Sequence, residues 1–280
     1  MLEFDGVCFS YGRKSDEAGF VCDLNFSIDK GEYVAIIGGN GAGKTTTSKL
    51  INGLLKPSEG RVTVDGLTTT DHAVSKLAKK VGMLFQDPDR QICKNTVREE
   101  LAFGLEIRGL AADEIKSRVD EVVSDFGFAP GASPFTLSRG ERQMLALASV
   151  VICDPEILVL DEPTTGLDYR ECMHIMERTR VLNEKGTTVI MICHDMEVVL
   201  DFAERIIVMA QGRIIADGDS AGIFRDEDVM RKASVLPPMM IDLSLRLSER
   251  ADLKDRFGGF SSVDELLEIL AKSTSARARS

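Results

Sequence analysis

A glycine-rich turn between an apolar strand and a helix most constrains how this chain can fold. The segment GGNGAGKT (38–45) follows the apolar run YVAII (33–37) and leads into the helical pattern KTTTSKLINGLL (44–55). In that setting the pattern G-x-x-x-x-G-K-[ST] is typical of a loop whose backbone N–H groups and following helix N-terminus converge on phosphate. The alternative is a strand–turn–helix without a ligand. The setting favours the phosphate loop and an α/β fold of the P-loop NTPase kind.

The motif also assigns roles within this loop. Lys44 is expected to contact the β- and γ-phosphates of a nucleotide as a catalytic cation, and the Thr45 hydroxyl is expected to ligate Mg²⁺. The predicted nucleotide contacts of the loop are Gly38, Gly39, Asn40, Gly41, Ala42, Gly43, Lys44, Thr45 and Thr46.

Two carboxylates follow another apolar run, ILVL (157–160). Taken alone, Asp161 and Glu162 could form a solvated acidic turn after a core strand. Beside a phosphate loop, Asp161 is expected to bind Mg²⁺, and Glu162 is the candidate that polarises or deprotonates an attacking water. Together the two segments predict a site for nucleotide phosphates and Mg²⁺.

Composition limits the classes of protein that this chain can represent. Its 280 residues are 44% hydrophobic and 28% charged, as in globular proteins, and no run reaches 18 apolar residues. The first residues lack a basic region followed by an apolar run, so no secretory signal is expected. The net charge of −11 argues against nucleic acid as a partner. The six cysteines form no CxxC or metal-type spacing, which favours reduced thiols and a cytoplasmic location.

Alternating apolar runs and helical patterns divide the chain into three parts. An ATPase domain is predicted for 1–218, with a helical subdomain inserted at about 86–153, and a small C-terminal helical extension for 219–280. The first two strands are expected to pair antiparallel as a β subdomain beside a RecA-like mixed sheet. The predicted strands are LEFDGVCFSY (2–11), FVCDLNFSI (20–28), YVAII, RVTV (61–64), VGMLF (81–85), EILVL (156–160), TTVIMI (187–192) and RIIVMA (205–210).

Further motifs occur in an order that resembles the ATP-binding subunit of ABC transporters, over about residues 1–215. The resemblance implies that Tyr11 in FSYG stacks on adenine and that Gln86 reaches Mg²⁺ and senses a transmembrane partner. It also implies that His194 in ICHD hydrogen-bonds the γ-phosphate and orients Glu162. From the residues alone, Tyr11 could be a half-buried strand aromatic, and His194 could be a structural histidine after a buried strand.

The segment LSRGE (137–141) is similar to the family's signature LSGGQ. The resemblance implies that two subunits pair head to tail, so that Ser138, Gly140 and Glu141 of one subunit approach ATP held by the other. Asp168 in TGLD (165–168) matches the D-loop of the same interface. Ser138 and Glu141 also form a capping-box pattern, and Gly140 is expected to leave room for a phosphate. Arg139 either points outward or adds positive charge near the partner's phosphates or its surface.

Two other departures from the family pattern accompany Arg139. The phosphate loop reads GGNGAGKTT where GPNGSGKST is usual, and Met144 stands where many members have arginine. Because the loop changes keep small residues and a hydroxyl, we expect nucleotide binding to be retained. Met144 puts in doubt any salt bridge that the arginine makes.

Two features resemble the energy-coupling-factor (ECF) group, which includes cobalt-uptake ATPases. The Q-loop reads FQDPDRQIC (85–93), with a second glutamine at Gln91, and the extension carries LPP (236–238) before an amphipathic helix that in this group helps dimerisation. The extension could instead be a plain capping element.

The ECF resemblance implies a set of partners and a place in the cell. The partners are a second ABC ATPase subunit (identical or different), a transmembrane coupling subunit and, through it, a membrane protein that binds a vitamin or transition metal. The chain is expected at the cytoplasmic face of the membrane. A conventional ABC transporter ATPase and a soluble ABC ATPase of the iron–sulfur assembly type remain alternatives.

Overall fold

Fully apolar strands form the centre of the computed structural model, which describes residues 1–12, 20–250, 253, 257 and 259–277. In strand β3 (Tyr33–Ile37), Tyr33, Ala35 and Ile37 belong to one hydrophobic core, whereas Val34 and Ile36 belong to another. Successive side chains of a strand point to opposite faces, so a strand that is covered on both faces needs an apolar residue at every position. The run YVAII is therefore explained by its central place in the sheet.

The central sheet has six strands in the order β10-β9-β3-β8-β7-β6. Five of these strands run parallel, and β10 returns antiparallel beside β9. The carboxyl ends of β3, β6, β7 and β8 therefore meet at one edge, which is where α/β sheets place ligand contacts. The bounds are β6 (Val81–Leu84), β7 (Ile157–Asp161), β8 (Thr188–Ile192), β9 (Arg205–Ala210) and β10 (Arg213–Asp219).

A second sheet, antiparallel and in the order β2-β1-β4-β5, covers one face of the central sheet. Its apolar residues share a core with Val34, Ile36 and the end of helix α1 (Lys44–Ile51). The prediction that the first two strands pair antiparallel is confirmed. The bounds are β1 (Leu2–Ser10), β2 (Phe20–Ile28), β4 (Glu59–Val64) and β5 (Leu67–Thr68).

Helices cover the opposite face of the central sheet, so the predicted α/β fold is confirmed. Three of them, α3 to α5, lie between β6 and β7 in the chain, within the range where the sequence predicts an inserted helical segment. The bounds are α2 (Val74–Leu77), α3 (Val97–Ile107), α4 (Ala112–Phe126), α5 (Arg139–Val151), α6 (Tyr169–Glu184) and α7 (Met196–Phe202).

The segment after β10 is helical and packs on the body of the protein. Phe224 and Ile241 are buried in the same core as the central sheet, and Glu197 of α7 accepts a hydrogen bond from the Met239 N–H at 2.6 Å. Within the described ranges, no helix has the length and apolar character needed to cross a membrane. The bounds are α8 (Ser220–Arg225), α9 (Glu227–Ala233), α10 (Met239–Ser248) and α11 (Val263–Arg277).

Candidate active site

The phosphate loop needs glycine where a side chain would meet neighbouring atoms. Gly38 has a φ of +149°, and a Cβ there would lie 2.1 Å from the carbonyl oxygen of Met209. Gly43 has a φ of +103°, and a Cβ there would lie 2.5 Å from Cγ1 of Val21. Gly43 is also the N-cap of α1 and has no side chain that could cap the helix. The first N–H groups of α1 are therefore suited to bind an anion.

Lys44 lies buried over this loop. Its Nζ donates hydrogen bonds to the carbonyl oxygens of Gly38 at 2.7 Å and Gly39 at 3.0 Å. Burial lowers the pKa of Lys44, although the charges of Glu162 and Asp161 oppose this effect. Because burial disfavours the ammonium form, a phosphate beside it would offset the loss of hydration.

Asp161 lies at the end of β7, next to the first turn of α1. Its Oδ1 accepts from the Thr45 hydroxyl and its Oδ2 from the Ser48 hydroxyl, each at 3.5 Å. Burial, followed by the charge of Glu162, raises the pKa of Asp161. The structure thus brings Thr45 and Asp161 together. Ser48 was not predicted, although its position three residues after Thr45 places it on the same face of the helix.

Glu162 is held by three side chains from three loops. Its Oε2 accepts from Nε2 of Gln86 at 2.5 Å and from the Thr165 hydroxyl at 3.2 Å, and its Oε1 accepts from Nε2 of His194 at 2.7 Å. Glu162 has a φ of +52°, a conformation that costs a non-glycine residue about 1–3 kcal/mol and is often found at functional sites. The predicted catalytic group of Glu162, Gln86 and His194 is therefore assembled, and Thr165 is an additional member that the motifs did not indicate.

A cleft of about 760 Å³ opens beside Glu162 and the phosphate loop. Unexpectedly, one wall of it is the segment Ser234–Pro238, which joins α9 to α10 and includes LPP. The carbonyl oxygen of Ala233 lies where it would be 3.1 Å from a Cβ on Gly39. This contact explains a small residue at 39, where the family usually has proline. The cleft is lined by Gly38, Gly39, Asn40, Glu162, Thr164, Thr165, His194, Asp195, Met196, Glu197 and Ser234–Pro238.

The predicted capping box at the start of α5 is confirmed. The Ser138 hydroxyl accepts from the Glu141 N–H at 3.2 Å, and the Glu141 carboxylate accepts from the Ser138 N–H at 2.7 Å. A Cβ on Gly140 would lie 2.1 Å from Oε1 of Glu171 in the same chain. Ser138, Gly140 and Glu141 are not among the described residues that line the cleft.

Asp168, in the D-loop, is the N-cap of α6 and forms a capping box with Glu171. Its Oδ1 accepts from the Glu171 N–H at 2.9 Å, and Oε2 of Glu171 accepts from the Asp168 N–H at 3.1 Å. The same carboxylate therefore caps α6 with one oxygen and packs against Gly140 with the other. The need for glycine at position 140 is therefore explained by the Glu171 carboxylate of the same chain, which the sequence pattern did not indicate.

Tyr11 lies just after β1 with 56% of its surface exposed, and its ring meets the ring of Phe9 edge-on at 4.9 Å. Tyr11 thus lies outside the strand with its ring about half exposed, and its stacking on adenine stays a prediction. An exposed ring is available for stacking on a flat ligand.

Arg139 links the signature segment to the D-loop. Its Nε and a terminal nitrogen both donate to the carbonyl oxygen of Thr165, at 3.3 and 3.2 Å. A Cβ on Gly166 would lie 2.8 Å from the Arg139 Nε, so the guanidinium covers this turn. The side chain is exposed, as the outward alternative supposed, but it contacts the neighbouring loop of its own chain.

We expect Arg139→Gly to lower the ATPase rate roughly fivefold, because a hydrogen bond of about 1 kcal/mol between the two loops is lost. ATP binding is expected to stay unchanged, since Arg139 does not contact the phosphate loop. Steady-state ATPase assays and nucleotide titrations measure the two effects. Arg139→Lys, which keeps the charge and one donor, should be intermediate, and wild-type activity in Arg139→Gly would support the outward alternative.

The profile of the family described as ABC transporter matches residues 21–165. The chain is 40% identical over 251 residues to the energy-coupling factor transporter ATP-binding protein EcfA of Methanothermobacter thermautotrophicus, covering 88% of the chain and 80% of that protein. Relatives from Clostridium perfringens, Caldanaerobacter subterraneus and two Methanosarcina species are 38–42% identical, and the chain spans only 37–43% of their length.

Solved structures give the same relationship. CbiO1 of Clostridium perfringens, described as part of the ABC transporter complex CbiONQ, superposes with a TM-score of 0.73 at 32% identity, covering 86% of this chain and 97% of that chain. A dimeric ATP-binding cassette in a post-hydrolysis state, bound to ADP and Pi, superposes with a TM-score of 0.70 at 30% identity, covering 79% of this chain and 99% of that chain.

Proposed function

The chain belongs to the ABC transporter family, and from this membership we propose that it is the ATP-hydrolysing subunit of an ECF-type importer. The observation that carries the proposal is the position of Glu162, which Gln86, Thr165 and His194 hold at the edge of the phosphate loop. Hydrolysis of ATP needs a positioned water and a group that takes its proton. Of the three described carboxylates that line the cleft, Asp195 caps α7 and Glu197 accepts from the Met239 N–H, so Glu162 is the candidate for this role.

The residues around Glu162 have different roles in the proposed hydrolysis. The two donors on Oε2 fix the direction of the carboxylate, and His194 holds Oε1 through its Nε2–H. Glu162 then polarises the attacking water or accepts its proton. Lys44 and the N–H groups of the phosphate loop stabilise the negative charge of the β- and γ-phosphates. The fixed geometry of these groups is itself a contribution to the rate.

The oxygen ligands present at Thr45 and Asp161 fit Mg²⁺. The two side chains lie within 3.5 Å of each other, and burial raises the pKa of Asp161, so a hard cation would stabilise its carboxylate. Thr45, Asp161 and Gln86 would hold the ion, although Gln86 donates to Glu162 in this structure. When bound, Mg²⁺ supplies positive charge to the β- and γ-phosphates.

Two subunits are required by this proposal. Ser138 and Gly140 lie outside the described lining of their own cleft, which supports a role toward a nucleotide held by another subunit. The similar cassette that binds ADP and Pi is a dimer. We infer a head-to-tail pair in which the start of α5 in one subunit faces the phosphate loop of the other. ATP binding closes this pair, and hydrolysis reopens it.

The transmembrane partner is expected to dock between the helical insertion and the sheet domain. A groove of about 570 Å³ lies between α2, β6 and the insertion, and it is lined by Val81, Ile107, Val150 and Cys153 among others. Ile107 is 70% exposed in it. Lys76, Lys79 and Arg108 also line this groove, and an apolar surface with cations beside it fits a short amphipathic helix of a membrane protein.

The Q-loop is fixed to helix α5 at two points, which links the Q-loop to the signature segment. Asp89 pairs with Arg142 at 2.7 Å. Gln91 accepts from the Phe85 N–H at 3.1 Å and donates to the Ala146 carbonyl oxygen at 3.3 Å. A movement of the Q-loop is therefore expected to move α5 with it. ECF importers carry vitamins or transition metals, and a separate membrane protein binds the substrate.

Copurification from membranes tests the transport assignment. An affinity-tagged chain should purify with a second ABC ATPase and a small integral membrane protein. Ile107→Glu should abolish recovery of the membrane protein and leave ATP binding unchanged. Val181→Glu places the same charge at another exposed apolar site, 42% exposed on α6, and is the matched control. Recovery of purely soluble partners would refute every transport function, whereas a membrane partner with its own substrate site would favour a conventional transporter.

A further inference from the structure

We propose that Cys8 and Cys22 form a redox-active thiol pair, which a small disulfide compound converts to an intramolecular disulfide that weakens nucleotide binding. The second half of this proposal rests on the proposed function, because its readout is the affinity for ATP. The first half concerns only the chemistry of the two thiols and can be tested alone.

A bulge in the antiparallel pair β1–β2 brings the two sulfur atoms together. Val7 pairs with Leu24 and Phe9 with Val21, so two residues of β2, Cys22 and Asp23, lie opposite the single residue Cys8. The two Sγ atoms are 3.4 Å apart, and both cysteines are partly exposed free thiols. Since a disulfide bond is about 2.0 Å long, the two sulfur atoms must approach each other by about 1.4 Å, which draws β2 toward Cys8.

The surroundings give the two thiols different roles. The guanidinium of Arg213 donates a hydrogen bond to Sγ of Cys22 at 3.6 Å, and a neighbouring cation is a feature of reactive cysteines. Burial raises the pKa of the Cys8 thiol, and the Asp23 N–H donates to its sulfur at 3.2 Å. Cys22 is therefore the sulfur that attacks first, and Cys8 resolves the product.

The reaction balances as two thiol–disulfide exchanges. The Cys22 thiolate attacks a small disulfide RSSR, so that a mixed disulfide Cys22–S–S–R forms and one RS⁻ leaves. The Cys8 thiolate then attacks Sγ of Cys22 and displaces the second RS⁻. The two thiol protons end on the two leaving thiolates. The two cysteines are oxidised by two electrons, and RSSR is reduced to two molecules of RSH.

The pair is connected to both ends of the nucleotide site. Along the chain, Cys8 and Cys22 flank the segment that carries Tyr11, the residue expected to stack on adenine. The Cys22 N–H donates to the Gly212 carbonyl oxygen at 2.9 Å. The Gly212 N–H in turn donates to the carbonyl oxygen of Ala42, in the phosphate loop, at 3.1 Å. Next to Cys22, the Val21 side chain packs against Gly43 of the same loop. Pulling β2 toward Cys8 therefore strains contacts that hold the phosphate loop.

The other cysteines provide contrasts within the same chain. Cys172 and Cys193 are buried, and burial raises the pKa of Cys172 to about 11. Cys93 is exposed, lies near the Q-loop and serves as the control for unselective oxidation. Cys93→Ser should leave the reaction unchanged, whereas Cys8→Ser and Cys22→Ser should each prevent the crosslink.

The test treats the reduced, full-length protein with oxidised glutathione and follows it by intact mass and peptide mapping. We expect a peptide that joins Cys8 to Cys22, reversed by dithiothreitol. Oxidation should lower ATP affinity roughly tenfold, the equivalent of about 1.4 kcal/mol. Cys8→Ser should keep wild-type affinity after the same treatment.

Two results would overturn the proposal. Glutathione that remains attached to Cys22 without a crosslink, or oxidation that falls first on Cys93, would show that the pair does not act together. A complete Cys8–Cys22 crosslink with unchanged ATP affinity would refute the control of binding. Reduced wild-type protein that fails to bind ATP contradicts the proposed function instead, and peptide mapping still decides the thiol chemistry in that case.

Discussion

Glu162→Gln is expected to abolish ATP turnover while ATP still binds. Glutamine keeps the size of the side chain and can still accept from His194, but it cannot take a proton from water. Removing a positioned general base typically costs about 10²–10⁴ in rate. Lys44 and the phosphate loop are unchanged, so the affinity for ATP should be retained, and the closed dimer should persist because hydrolysis no longer reopens it.

Single-turnover ATPase assays measure the rate, and size-exclusion chromatography with ATP measures the dimer. The matched control is Glu156→Gln, at the position just before the same strand. Glu156 pairs with Lys80 at 2.8 Å, and its side chain is 42% exposed, so this change should leave hydrolysis at the wild-type rate. Near-normal ATPase activity in Glu162→Gln would show that another group activates the water. Thr165, His194 and Gln86 are the neighbours to test next.

The central sheet could be predicted because strands that are buried on both faces are apolar along their length. Runs such as ILVL (157–160) and VIMI (189–192) are buried on both faces, so every residue in them is apolar, and the runs are visible in the sequence. Strand β10 was not predicted. Its sequence RIIADGD mixes apolar and charged residues, because it lies at the edge of the sheet and is only partly buried. An edge strand with one exposed side does not produce a continuous apolar run.

The candidate site could be predicted where a motif follows a strand, and less well where distant segments meet. The phosphate loop, Asp161, Glu162 and His194 each follow a parallel strand, so one sheet edge gathers them. Arg139 instead joins two loops that are 26 residues apart in the chain, since its guanidinium donates to the Thr165 carbonyl oxygen. The segment Ser234–Pro238 was expected only in a helical extension. Its place in the wall of the cleft depends on packing of α9 and α10, which no local pattern encodes.

Gly38→Ala is expected to destabilise the protein and to remove ATP binding. A Cβ at this position would lie 2.1 Å from the Met209 carbonyl oxygen. Met209 belongs to β9, which pairs with β3 on one side and β10 on the other, so this backbone cannot move aside easily. The collision and the φ of +149° together should lower the free energy of unfolding by about 3 kcal/mol or more. Each charged phosphate hydrogen bond that the displaced loop loses costs about a further 1.5–3 kcal/mol of binding.

Gly41→Ala is the matched control for this prediction, because Gly41 lies in the same loop but has open space around it. Its φ is +77°, but no atom lies within 4 Å of the added Cβ, so only the backbone conformation is strained. We expect it to lose about 1 kcal/mol of stability and to keep measurable ATP affinity. Urea denaturation and nucleotide titration of the two variants separate the effect of the Cβ contact with Met209 from the effect of a strained backbone conformation. If Gly38→Ala were to bind ATP as well as Gly41→Ala does, the contact with β9 would not be what holds the phosphate loop in shape.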